Sequence, residues 1–367
     1  RDVQWVAQNA ISQAVASSKA KSGTVIVMDP KTGEILAQAS APTFDPNIPS
    51  SITVDKLNNP SVQEVYEPGS TGKVITVAAA MEEGLITPES VFSIPYSMKV
   101  SDSVFKDHEK HPTQRLTTTG LLAVSSNTGS IQIGQKLGKD NLYKYLTKFG
   151  IGQSTNSKLP GESAGILHPV KNWSGTSLPT ISFGQGYSLT AMQSTSVFAT
   201  IANNGVRVKP SILAGVVDES GKYTPSAANE STRVLSEQTA INMRAMMENV
   251  VSKNGTAPSA AIDGYRVAGK TGTAQRYNTA CRCYSGYTAS FIGFAPADQP
   301  KYVVSVTIQD PKGMHWGGVL AGPVFKKVMG FVLQNQRISP TPETKTFYSL
   351  TEAALKQRSK ITPKSGA

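Results

Sequence analysis

Glu67-Pro68-Gly69-Ser70-Thr71-Gly72-Lys73 runs directly into Val74-Ile75-Thr76-Val77-Ala78-Ala79-Ala80-Met81-Glu82-Glu83-Gly84. Pro68 and Gly69 break whatever precedes them, 74–83 is built of good helix formers, and Gly84 is suited to close the helix. The pattern places Ser70 at a helix N-terminus, where unpaired N–H groups and the positive dipole end favour a developing negative charge. Lys73 comes three residues later, on the same helical face and roughly one turn away. A serine hydroxyl needs a base within reach to act as a nucleophile, and a desolvated lysine is able to serve as that base. Alone, S-x-x-K is common, and a serine cap trailed by a surface lysine is the simpler reading. The rest of the chain has to decide.

Two further short motifs bear on it. Ser125-Ser126-Asn127 closes an apolar segment, 116–124, that reads as a helix. A serine hydroxyl there can pass a proton, and an asparagine amide can bind a peptide carbonyl while hydrogen-bonding a lysine. Lys270-Thr271-Gly272-Thr273 falls on a strand candidate, 265–273. Gly272 is expected to let a substrate backbone approach the strand edge closely, and Lys270 with the two threonines to bind a carboxylate. Taken singly, one is a Ser/Asn-rich helix terminus and the other an exposed strand.

The architecture is set by where strand and helix material lie. Residues 2–18 carry an apolar stripe of helical period. Residues 24–29 and 34–39 flank Pro30-Lys31-Thr32-Gly33 and read as an antiparallel hairpin. From about 85 to 200 the chain is helical and loop-rich, with helices expected over 140–149 and 189–202. Residues 206–217 read as a strand region and 237–251 as a helix capped by Ser236. Strand candidates at 265–273, 287–295 and 302–309 precede a final apolar helix, 319–335. Strands therefore lie at both ends of the chain and helices in the middle. The economical fold is α+β: one antiparallel sheet flanked by helices, from 1–60 and 205–337, with an all-helical subdomain over 61–204. A polar tail, 338–367, is expected to be loosely ordered apart from a short helix near 350–357. A cleft between the subdomains is the natural ligand site.

Composition narrows the function classes. At 367 residues and 39% hydrophobic content the chain has material for two packed lobes. Its net charge of +11 is spread without basic runs or aromatic interleaving, which argues against a nucleic-acid partner. No run of eighteen apolar residues occurs, and Arg1 does not open a signal-peptide pattern, as expected of a mature product or an excised fragment. Cys281 and Cys283, the two cysteines, are too few for a structural zinc site, and the four histidines have no metal spacing to them. A tight disulfide and two free thiols are both open. Gly264-Tyr265-Arg266-Val267-Ala268-Gly269-Lys270-Thr271 also fits the phosphate-binding pattern G-x-x-x-x-G-K-[ST]. That loop must open a helix, whereas Gly272 to Asn278 carries no helical apolar stripe and leads into another strand candidate.

In this order, S-x-x-K, S-x-N and K-T-G form the signature shared by penicillin-binding proteins and class A β-lactamases. Over roughly 1–336 the chain resembles the transpeptidase domain of class B penicillin-binding proteins, most of all the division-associated (septal) type of actinobacteria. Leu159-Pro160-Gly161-Glu162, Ser182-Phe183-Gly184-Gln185-Gly186 and Tyr287-Thr288-Ala289-Ser290-Phe291-Ile292-Gly293-Phe294-Ala295-Pro296 add to it. The resemblance implies a penicillin-binding-protein/serine β-lactamase-like fold and a peptidoglycan D,D-transpeptidase with Ser70 as nucleophile, Lys73 as base and Ser125 as proton relay. It implies that Asn127 holds the donor amide and that Lys270, Thr271 and Thr273, with Gly272 between them, hold its terminal carboxylate. The N–H groups of Ser70 and Thr273 are the implied oxyanion hole. Stem peptides are the implied substrates and β-lactams the covalent inhibitors, with no metal or organic cofactor. Family members carry a membrane helix and a pedestal domain ahead of this region, which implies an excised domain from the extracytoplasmic face of the membrane, with divisome membrane proteins bound through regions outside this chain. Alternatives are a β-lactam sensor, a D,D-carboxypeptidase and a β-lactamase. For the last, Glu162 lacks the E-x-x-L-N setting and is expected to serve its loop.

Overall fold

Ser22–Met28 (β1) is buried along its whole length, because both faces of the strand are covered. Val25 and Val27 point into one core and Ile26 and Met28 into another, the period of two expected of a strand between two layers. In the computed structural model, which describes residues 1–278, 281–341 and 348–361, β1 is the fourth of five antiparallel strands. It pairs with Ile35–Ala41 (β2) through the hairpin whose turn ends at Gly33, at φ +76°. The other strands are Ala268–Asn278 (β3), Cys283–Ala295 (β4) and Tyr302–Gln309 (β5). The order is β3-β4-β5-β1-β2, so the N- and C-terminal segments share one sheet, as the sequence pattern predicts.

Asp2–Ser17 (α1) and the last long helix, Gly317–Asn335, cover one face, with Ile11, Phe291 and Phe325 among the buried residues between. The opposite face rests on Ala191–Ala202, a helix buried at every residue and started by a Thr190/Gln193 capping box. Beyond it lies Lys73–Glu82 (α2), which ends in a Schellman turn: Gly84 N–H donates to Met81 O (3.0 Å) and Leu85 N–H to Ala80 O (2.9 Å). β3 is an edge strand, and the edge it does not share with β4 borders the helical half of the molecule. Among the described residues no helix is long and apolar enough to cross a membrane.

Several expectations change. The segment 116–124 is not one helix: Gln114–Thr117 is a strand, and the helix is Thr118–Ala123 (α3). Asn127 does not trail a helix but opens the next, Asn127–Leu137 (α4), with Ser126 as its N-cap through a 2.9 Å bond from Gly129 N–H. The helical half also holds short hairpin strands, Ser97–Val100 and Ser103–Lys106. Residues 206–217 hold two short strands in separate ribbons, outside the main sheet. Ala191–Ala202, from the expected helical subdomain, packs on the sheet, and Glu237–Met247, from the other, packs on α2 and α3. Burial needs, and not chain order, set those contacts. The described part of the tail docks on the protein. Leu350 O accepts from Thr117 N–H (3.1 Å), and the helix Glu352–Ile361 is tied by Arg115–Glu352 (2.9 Å) and Arg358–Glu89 (2.5 Å). Cys281 and Cys283 are joined as a disulfide. Lys270-Thr271 lies inside β3 with no helix after it, which removes the phosphate-loop reading.

Candidate active site

Ser70 lies in a single 3₁₀ turn, Gly69–Gly72, that runs on into α2. The tighter turn reflects the crowding around it. Gly69 sits at φ +54° with its N–H on Gly184 O (2.8 Å), and a side chain on Gly184, at φ +95°, would overlap Gly69 O. Glu67 braces the same loop: it accepts from Gly186 N–H (2.9 Å) and from Tyr284 Oη (3.2 Å) on β4. Burial pushes its carboxyl above the usual range, against these hydrogen bonds.

Lys73 is fully buried under Ser70. Its Nζ donates to Ser125 O (2.5 Å), Asn127 Oδ1 (2.7 Å) and Ser125 Oγ (3.3 Å). Burial lowers its pKa to about 7, with Asp107 pulling the other way. Ser125 reaches this position because it takes a left-handed conformation, φ +63°, between α3 and α4. For a non-glycine residue that costs roughly 1–2 kcal/mol, and it turns the hydroxyl out of both helices into the cleft.

Lys270 approaches the same hydroxyl from the sheet, Nζ to Ser125 Oγ 2.9 Å, and is also fully buried. Burial first, and then the neighbouring Lys73, hold its pKa well below the ordinary lysine value. Ser125 Oγ therefore bridges two lysines that oppose each other's charge. Thr271 Oγ1 lies 3.3 Å from Lys270 Nζ and 2.8 Å from Thr256 Oγ1, while Thr273 Oγ1 accepts from Gly317 N–H at 3.1 Å.

Gly272 has a structural reason of its own beside the expected one. The direction its side chain would take is filled by Ser290 Oγ and, at 2.9 Å, the Pro68 carbonyl oxygen. The missing side chain lets the Ser70 loop pack on β3. Asn127 gives Nδ2 to Lys106 O (2.9 Å), which leaves one amide hydrogen for a ligand. Ser70, Lys73, Ser125, Asn127, Lys270, Thr271 and Thr273 thus come together from three segments far apart in sequence.

Sequence reasoning passed over several neighbours. Asp107 accepts from Asn127 N–H (2.5 Å), Thr128 N–H (3.0 Å) and Ser126 Oγ (2.8 Å), holding the start of α4. His108, beside it, meets the Trp316 ring edge to face at 5.5 Å across the cleft. Its pKa falls to about 4 through burial and the nearby Lys73 and Lys270. Glu162 accepts from Thr155 N–H (2.7 Å) and Ser154 Oγ (2.9 Å) and closes its own loop, as its sequence setting predicts.

A buried serine ahead of a helix, two buried lysines on one serine hydroxyl and an edge strand beside them sit in an α+β domain of the penicillin-binding-protein and serine β-lactamase type. The chain belongs to the penicillin binding protein transpeptidase domains, whose family description matches residues 23–330, and within them to the class B type. It is 39% identical to penicillin-binding protein PbpB of Mycolicibacterium smegmatis over 353 residues, 93% of this chain and 54% of that protein. It is 35% identical over 340 residues to the peptidoglycan D,D-transpeptidase FtsI of Escherichia coli, covering 92% of this chain and 55% of that one. The chain thus spans about half the length of these relatives. Penicillin-binding protein 3 of Mycobacterium tuberculosis, solved in complex with aztreonam, superposes with a TM-score of 0.88 at 37% identity over 95% of this chain and 80% of that one.

Proposed function

We propose that this domain is the acyl-transfer unit of a peptidoglycan D,D-transpeptidase of the septal type, working on the extracytoplasmic face of a bacterial membrane. The observation that carries this reading is the Ser125 hydroxyl held between Lys73 and Lys270. With a pKa of about 7, Lys73 is substantially neutral at physiological pH and takes the proton of Ser70 as its oxygen attacks the carbonyl between the donor's two terminal D-alanines. Ser125 passes the proton to the departing amine. The donor's carboxylate is received by Lys270, Thr271 and Thr273, and its arrival favours the charged form of Lys270. Asn127 holds the donor amide, and the N–H groups of Ser70 and Thr273 stabilise the oxyanion, an arrangement whose single donors are worth about 3–4 kcal/mol in comparable sites. An amine of a neighbouring stem peptide then takes the acyl group. β-Lactams enter the first step and remain on Ser70. Divisome membrane proteins are the partners of the longer protein in this reading. Glu162, tied into its own loop, is not free to activate water, which argues against a β-lactamase.

Labelling with a fluorescent penicillin tests the proposal. A long-lived adduct is expected on the native chain and none on Ser70→Ala, with labelling of Lys73→Ala slower by at least about 10²-fold. No Ser70-dependent adduct, or one lost within seconds, would overturn it.

A further inference from the structure

A small cavity, about 90 Å³, lies between the 149–156 loop, the helix Ala191–Ala202 and the chain from Arg207 to Pro210. It shares no lining residue with the pockets that open on Ser70. Its loop wall is held from two sides. Gln193 Nε2 donates to Gly150 O (3.3 Å) and Gln153 O (2.8 Å), and Glu162 accepts from Thr155 N–H (2.7 Å) and Ser154 Oγ (2.9 Å). The wall is thereby fixed before any ligand arrives, which lowers the cost of binding.

The groups facing this space are cationic and unsatisfied. Arg207 is half-buried, and its guanidinium lies against Gly150, where a side chain would strike Arg207 Nη1. An arginine carries five N–H donors, and among the described residues the Arg207 side chain has no acceptor and no ion pair. Burial is what moves its pKa, downward, and no carboxylate acts to hold it up. Ser196 is 5% exposed, and its hydroxyl has no partner among the described residues either. Lys209 adds a second cation, which the exposed Glu230 meets at 2.6 Å. No acidic residue lines the cavity, and the oxygens of Glu162 are occupied by Thr155, Ser154 and Ser157. Donors withdrawn from water without an acceptor are costly. We propose that this cavity is a binding site for a phosphate group, received by Arg207, Ser196 and Lys209. The guanidinium fork matches two phosphate oxygens, and the serine hydroxyl reaches a third. The volume is far below the roughly 300–1,000 Å³ of pockets that enclose drug-sized ligands. Phosphate therefore enters as the free ion, or as the terminal group of a larger molecule whose remainder stays outside. The site stands apart from the transpeptidase reading and does not rest on it.

Isothermal titration of the whole chain with inorganic phosphate, at constant ionic strength, tests the assignment. Saturable binding at one site is expected, weakened at least about tenfold in Arg207→Met and about threefold or more in Ser196→Ala. The serine variant removes a single oxygen and carries the test should Arg207→Met fold poorly. Phosphate held instead by the lysines at Ser70 would survive both substitutions. Glycerol 3-phosphate separates the sources: affinity like that of inorganic phosphate supports a site for a phosphate borne on a larger molecule, and its exclusion supports one for the free ion. No saturable binding to the native chain, or an affinity that both variants leave within about twofold, would overturn the assignment. Neither result bears on the acylation of Ser70.

Discussion

Acylation of Ser70 should track the titration of Lys73. A buried lysine with a pKa of about 7 is roughly one-tenth neutral near pH 6 and nine-tenths neutral near pH 8. The second-order rate constant for a fluorescent penicillin should therefore rise about tenfold across that interval and flatten above it. With an ordinary lysine pKa the same interval would give about a hundredfold rise and no plateau. Replacing Asp107 by Asn removes a charge that raises the Lys73 pKa, so the midpoint should move to lower pH. Lys73→Arg keeps a cation that stays protonated, so acylation should fall about 10³-fold with no recovery at alkaline pH. The assay is stopped-flow or gel-based labelling at constant ionic strength. A profile that climbs with unit slope through about pH 9, or one that ignores pH, would refute the assignment of Lys73 as a desolvated base.

Stability should carry the same signature. Because the folded pKa of Lys73 is depressed, the unfolded chain binds more protons between that value and the ordinary one. The destabilisation is complete below about pH 7 and is relieved as pH rises. Urea unfolding of native chain and Lys73→Met should therefore show a gap that narrows with rising pH, at most by about 1.4 kcal/mol per pH unit; a pH-independent gap would count against the burial argument. Gly272→Ala should cost about 1–3 kcal/mol and slow penicillin labelling, since the added methyl meets Ser290 and the Pro68 carbonyl; native-like labelling would show that the Ser70 loop can withdraw. Asp107→Ala should cost about 1–3 kcal/mol by leaving the start of α4 unpaired, read by thermal melting. Truncation after Thr341 should lower stability by about 1–3 kcal/mol, because Thr117 and Glu89 lose partners in the docked segment; an unchanged urea midpoint would mean that segment adds nothing.

The sheet was legible because strands covered on both faces read as short, largely apolar runs, and because hairpin chemistry at Pro30-Lys31-Thr32-Gly33 fixes the first pairing. The lysines and serines were legible as three spaced motifs. Why they meet was not. Ser125 reaches the cleft by a left-handed backbone at a helix junction, where the sequence shows only a serine after an apolar run. Asp107 and His108 come after a hairpin of four-residue strands, too short for periodicity to register. The packing of the Ser70 loop on Gly272 is hidden because a glycine in a strand announces close contact without saying with what. One signal was available: Trp316-Gly317-Gly318 places two glycines at the start of a long helix beside a tryptophan, a mark of close backbone approach.

The close approaches explain how two lysines stay buried. Side chains at Gly69, Gly184, Gly272 or Gly317 would each strike another segment: Ala274 for the first, Gly69 O for the second, Ser290 for the third, and the Ser290 and Gly272 carbonyls for the last. The Ser70 loop, the 182–186 loop, β3 and the start of the last long helix are thereby locked backbone to backbone. Lys73 and Lys270 are fully buried among these segments. Desolvation of Lys73 therefore depends on the packing of these segments as well as on the residues beside it. A substitution that loosens the interlock without touching Lys73 should raise the Lys73 pKa toward its ordinary value, so the acylation midpoint should shift to higher pH even where the catalytic groups are all present.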